Sequence, residues 1–128
     1  MNAQALLLKA LQAAASAKVL LDTGDADGAC NRAYYAMFDA ARAALLASGA
    51  PVAPDIAKTH NGLISAFSLH LVKTGRVPLE LGKALNRAEE LRLIADYKGD
   101  SIEPEHAGWA VSQAQLFVQA MQSTFMSG

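Results

Sequence analysis

The stretch CNRAYYAMFDAARAALLA, residues 30–47, decides how the rest of the chain is read. At helical spacing Cys30, Tyr34, Met37, Ala41 and Leu45 form one apolar stripe, while Ala33, Phe38 and Leu46 put apolar surface elsewhere around the same helix. A helix that is apolar on more than one side is either enclosed by other helices or pressed against a second subunit. The composition agrees with that reading. Of 128 residues, 67 are apolar, and 27 of these are alanine and 17 leucine, against only 10 valine or isoleucine. Alanine and leucine lose little side-chain entropy in a helix, whereas strands need the β-branched and aromatic residues this chain mostly lacks. The length suits one domain over residues 1–128. An all-α protein follows, an antiparallel up-and-down bundle of four to five helices.

Punctuation residues divide the chain into five helical segments. The first runs from about Ala3 to Leu21 and breaks at Thr23-Gly24-Asp25. The second starts near Asp25 or Asp27, either of which can cap it, and ends at Ser48-Gly49, with Pro51 and Pro54 forbidding continuation. The third begins around Lys58-Thr59, Thr59 serving as N-cap, and ends at Thr74-Gly75. Pro78 opens a fourth that reaches Tyr97-Lys98 before Gly99, and Pro104 opens a fifth that reaches almost to Phe125. Gly62, just inside the third segment, points to close packing by a neighbouring helix.

Eleven basic residues against twelve acidic ones leave no field for constitutive nucleic-acid coating, which draws its affinity from phosphate neutralisation. The single cysteine, Cys30, excludes an internal disulfide framework, fits a reducing compartment and reads as a small buried residue. Leu6-Leu7-Leu8 followed by Ala15-Ser16-Ala17 imitates a signal peptide, but no basic residue precedes it and Lys9 interrupts it. No apolar run approaches the roughly 18 residues of a membrane span. The expectation is a cytoplasmic protein without membrane attachment.

Polar residues on the apolar helices mark the candidate site. Arg32, Tyr35, Asp39 and Arg42 lie at i, i+3, i+7 and i+10 along one face, and Glu89, Arg92 and Asp96 form a second row with Tyr97 beside it. Two readings stay open. The rows can line a pocket in which arginines hold a phosphate or carboxylate, or they can be ion pairs that fix helix register. Pairing with Arg32 would lower the pKa of Asp39 and make it a poor general acid. Tyr34 is assigned to the core. His60 can act as a base near a helix start or as a capping or surface residue, while His70 is late in its helix and His106 decorates a first turn. No His-Glu-x-x-His motif, cysteine cluster or glycine-rich phosphate loop is present, so neither a metal nor a cofactor is expected.

The strings Asn31-Arg32-Ala33-Tyr34-Tyr35-Ala36-Met37-Phe38-Asp39-Ala40-Ala41, Lys58-Thr59-His60-Asn61-Gly62-Leu63-Ile64 and Arg92-Leu93-Ile94-Ala95-Asp96-Tyr97 resemble the HEPN family (higher eukaryotes and prokaryotes nucleotide-binding), in its small stand-alone prokaryotic branch. The resemblance spans the second to the fourth helix. It implies an antiparallel bundle, a homodimer, pairing with a minimal nucleotidyltransferase in a toxin–antitoxin-like system, and a nucleotide or RNA ligand. The ligand residues it suggests are Arg32, Tyr35, Asp39, His60, Arg92, Asp96 and Tyr97. Catalytic members carry Arg-x4-6-His. None of Arg32, Arg42, Arg76, Arg87 or Arg92 has histidine at those spacings, so ribonuclease activity does not follow from the resemblance. A toxin ribonuclease with a non-standard site using Arg32, Asp39, Arg92 or His60, and a purely structural dimerisation module, are the alternatives.

Overall fold

A computed structural model describes residues 1–97 and 101–126. Its helices are α1 (Ala3–Asp22), α2 (Ala26–Ser48), α3 (Pro54–Ala57), α4 (His60–Phe67), α5 (Leu79–Tyr97) and α6 (Pro104–Phe125), and no strand occurs among the described residues. Lys98 and Gly99, read as the end of the fourth segment, lie outside the described residues.

Local chemistry sets each boundary. Asn2 caps α1 by accepting from the Ala5 amide at 2.8 Å. Of the two aspartates that could cap α2, Asp25 does so, accepting from the Gly28 amide at 2.8 Å. Asp27 instead accepts from the Ile102 amide at 2.8 Å and so ties the start of α2 to the segment before α6. Gly49 ends α2 with φ of 72°, a left-handed conformation that suits a residue without Cβ. Thr59 caps α4 by accepting from the Gly62 amide at 3.0 Å, as its position predicts. Pro78 immediately precedes α5, and Pro104 is the first residue of α6.

Three features differ from the sequence reading. The prolines after α2 do not give plain loop, because Pro54 starts the single-turn α3. The third segment is not one α-helix: α4 passes into a π-helical turn at Ser68–Val72, closed by the Lys73 amide donating to the Ser68 carbonyl at 2.8 Å. Gly62 is close not to a long neighbouring helix but to α3, where a Cβ would fall on the Ile56 carbonyl.

α2 is the axis of the bundle. Twelve of its 23 residues are buried, and it packs against α1, α4, α5 and α6, most extensively against α1. Of the two explanations for its all-round apolar surface, enclosure by other helices is the one observed. Seven of the buried positions are alanine: Ala29, Ala33, Ala36, Ala40, Ala41, Ala43 and Ala44. Larger side chains fill the remaining space, with Tyr34, Met37, Phe67 and Phe117 fully buried and the Phe67 and Phe117 rings 5.4 Å apart. Among the described residues α1 is the one helix long and apolar enough to cross a membrane by length and composition, although Lys9 and Lys18 keep it from being an uninterrupted apolar run. Its Leu6, Leu7, Ala10, Ala13, Ala14 and Ala17 are buried within the bundle.

The close approach of α2 to its neighbours generates a prediction. Ala36→Leu adds three carbons at a position with no accessible surface. It should cost about 1–3 kcal/mol of unfolding free energy through overpacking, measured by urea denaturation, with helix content retained. Unchanged stability would mean the helices are not in close contact there.

Candidate polar cluster between α2, α4 and α5

The two polar rows meet. α2 supplies Asn31, Arg32, Tyr34 and Tyr35, α5 supplies Glu89, Arg92 and Asp96, and the Thr59 cap starts α4 so that His60, its first helical residue, joins them. Arg92 is the centre. It is only 4% exposed, and its guanidinium lies over the rings of Tyr34 and Tyr35, 5.1 and 5.7 Å from their centroids. Its one carboxylate neighbour, Asp96, is 3.6 Å from Nη1, too long for a good hydrogen bond, and Nε is buried without any partner. Asp96 also accepts from the Asn31 amide at 3.2 Å. The Asn31 side-chain oxygen accepts from Arg32 Nε at 3.3 Å, and Arg32 stacks on Tyr35 at 5.3 Å. Tyr35 therefore carries a guanidinium from each row.

On the other side of Arg92, the Tyr34 hydroxyl lies 2.8 Å from His60 Nδ1 and 3.3 Å from a Glu89 carboxylate oxygen. Burial, and after it the Glu89 carboxylate, raise the Tyr34 pKa well above the usual phenol range, with Arg92 pulling weakly the other way. The hydroxyl therefore stays protonated and has one hydrogen to give. When Glu89 takes it, the oxygen accepts from His60 Nδ1–H, and a neutral His60 keeps Nε2 as its acceptor. The imidazole is further held among the rings of Tyr34, Tyr35 and Phe38, at 5.6, 5.9 and 5.3 Å.

The sequence reading needs four corrections here. Tyr34 is indeed buried, but its hydroxyl belongs to the cluster. His60 neither caps nor decorates α4, since Thr59 caps and His60 turns inward to Tyr34. Asp39 stands apart and makes no ion pair with Arg32 among the described residues. Burial raises its pKa, and the opposing charges of Lys9, Arg42 and Arg32 do not overcome this, so the expected lowering is reversed. Tyr97, 73% exposed, projects away from the cluster. Glu89, part of the second row but not among the ligand residues, joins it one turn before Arg92; Asn31, beside Arg32 and in neither row, joins it too. Cys30 behaves as expected, buried and with its thiol pushed up to about 11 by that burial and by Asp27. No group of three or more metal-ligating side chains is found among the described residues.

Comparison with known proteins places the chain among relatives along most of its length. A family model described as HEPN domain matches residues 3–124. The "UPF0332 protein glr0978" of Gloeobacter violaceus is 37% identical over 118 residues, covering 91% of this chain and 90% of its own. A "UPF0332 protein" of Thermotoga maritima is 38% identical over 109 residues, covering 83% and 77%. "Putative toxin MJ0605" of Methanocaldococcus jannaschii is 33% identical over 119 residues, covering 93% and 85%.

Two measurements check the electrostatics. Folding raises the Asp39 pKa, so the associated stability is full below the ordinary value of 3.8 and is lost as pH climbs through the folded value. Asp39→Asn should accordingly be more stable than the parent at pH 7, with the gap closing as pH falls; a gap independent of pH would contradict the assignment. Tyr34→Phe, which removes the oxygen shared by His60 and Glu89, should cost about 1–2 kcal/mol in denaturant unfolding.

Proposed function

The chain belongs to the HEPN domain family, and from that premise we propose that it is the toxin-type component of a two-component system, holding a phosphate of a nucleotide or RNA against Arg92. The observation that carries the reading is the state of Arg92 itself. A guanidinium offers five donors, yet this one is 4% exposed, has one loose carboxylate contact and leaves Nε unpaired. A cation kept out of water without full pairing is costly, and a network that served only helix register would satisfy its donors. A phosphate oxygen entering beside Asp96 would supply the missing acceptor, in the bidentate geometry that arginine favours. Arg32, which also lies over the Tyr35 ring, adds a second positive charge. The toxin wording in the name of the Methanocaldococcus jannaschii relative supports the biological setting. The proposed assembly is a cytoplasmic homodimer whose activity a minimal nucleotidyltransferase controls.

One observation favours a second reading. The Glu89–Tyr34–His60 chain orients an imidazole within the same cluster as Arg92, and metal-free RNA cleavage needs such a pair: a base for the attacking hydroxyl and a cation for the developing phosphorane charge. Growth arrest on induction that is lost in His60→Ala, together with RNA cleavage by the purified parent, would establish this reading.

Arg92→Met tests the first. The substitution keeps the length of the side chain and removes the buried charge, so the variant should fold with parental or higher stability. Titration with ADP and with a short single-stranded RNA should show binding to the parent and at least about tenfold weaker binding to the variant. A parent that binds neither probe, or a variant that binds both as well as the parent, would refute the assignment.

A further inference from the structure

α3 contributes nothing to the core: it is a single turn, and none of its four residues is buried. It is nevertheless fastened from behind. The Thr59 hydroxyl donates to the Ile56 carbonyl at 3.1 Å, and Gly62 leaves that carbonyl the space a Cβ would take. The front of the same segment faces the last turns of α2 without closing on them. Between the two lies a pocket of about 280 Å³, lined by buried Leu45 and by Leu46, Val52 and Ala57. Two cations share it. Arg42, half-buried on α2, and Lys58, exposed at the end of α3, both line the pocket. Neither makes an ion pair among the described residues. Asp39, one turn before Arg42, feels its charge but does not line the pocket, and no carboxylate does.

We propose that the α2/α3 pocket binds a small apolar anion, a medium-chain carboxylate, with its head group on Arg42 and Lys58 and its chain along Leu45, Leu46 and Val52. A lone lysine or arginine beside apolar surface ordinarily lays its stem there and keeps its charge in water. Two that converge on one pocket without a counter-charge set up a field that an anion relieves. The lining then selects among anions. Inorganic phosphate would leave the apolar walls without a partner. A nucleotide would find no aromatic ring to stack its base and no carboxylate for its ribose. A carboxylate with an aliphatic chain uses both parts, and the volume, just below the ~300–1,000 Å³ of pockets for larger organic ligands, keeps that chain short. Arg42 follows Arg32 by ten residues, about 15 Å along α2, so the pocket is separate from the cluster around Arg92 and can be filled whatever that cluster holds.

Calorimetric titration of the full chain with sodium octanoate, below its micelle concentration, tests the site. One octanoate should bind per chain, at least about tenfold more tightly than 1-octanol, which lacks the charge, or inorganic phosphate, which lacks the chain. Arg42→Met and Lys58→Met keep apolar stems in place and should each weaken octanoate at least about fivefold, whereas Lys18→Met on α1 should not. Lys58 is exposed, so its variant reports even where Arg42→Met does not fold. Excess ADP should leave octanoate binding unchanged. No octanoate binding by the parent, equal binding of octanol or phosphate, or parental binding in Lys58→Met overturns the proposal. Displacement of octanoate by ADP also overturns it and assigns the pocket to a nucleotide.

Discussion

Two helix axes come only as close as the side chains between them allow, and α2 meets its neighbours largely through alanine. Ala33, Ala36, Ala40, Ala41, Ala43 and Ala44 are all fully inaccessible. Methyl groups bring little buried area each, so the hydrophobic gain of this helix comes from being covered on several sides at once rather than from large side chains on one. α1, α4, α5 and α6 are positioned by that requirement. The few large residues then act as spacers at particular levels of the bundle: the Phe67–Phe117 contact holds α4 against α6, and Tyr34 fills the space between α2 and α5.

Close enclosure also decides where a charge can be trapped. α5 turns Ala84, Leu85, Ala88 and Leu91 inward, and the next residue along, Arg92, is carried into the same interface. The aromatic faces of Tyr34 and Tyr35 compensate part of its lost hydration, because their quadrupoles attract a cation. Asp96 compensates less, being 3.6 Å away and shared with Asn31. The result is a polar cluster whose acceptors are used more fully than its central donor. That imbalance separates it from the exposed pairs Lys18–Asp22 and Arg87–Glu90, each closed at 2.9 Å and each of small energetic weight.

The fold was legible in the sequence because helical period and punctuation are local signals. The polar rows were legible for the same reason. Their meeting was not, since it depends on how far α2 and α5 rotate about their own axes, which alanine-rich surfaces leave open. Tyr34 shows a second limit: its position on the apolar stripe predicts burial of the ring, but not where the hydroxyl at its tip ends. Asp39 shows a third. It shares a face with Arg32, yet seven residues separate them by about 10 Å along the axis, beyond ion-pair reach, so desolvation prevails. α3 and the π-helical turn escaped because a single turn and one extra residue leave no periodic trace.

The distribution of charge gives the bundle two different surfaces. α1 is apolar enough overall to resemble a membrane span because it has two apolar faces, one packed in the core and one exposed. α6 shares the exposed side and, from Ala107 onward, contributes amides rather than charges. The polar cluster is built from α2, α4 and α5. α2 is common to both halves, but it contributes to them from different sides and is itself covered. One enclosed helix thus separates the amide-rich α1/α6 side of the bundle from the polar cluster that α2 forms with α4 and α5.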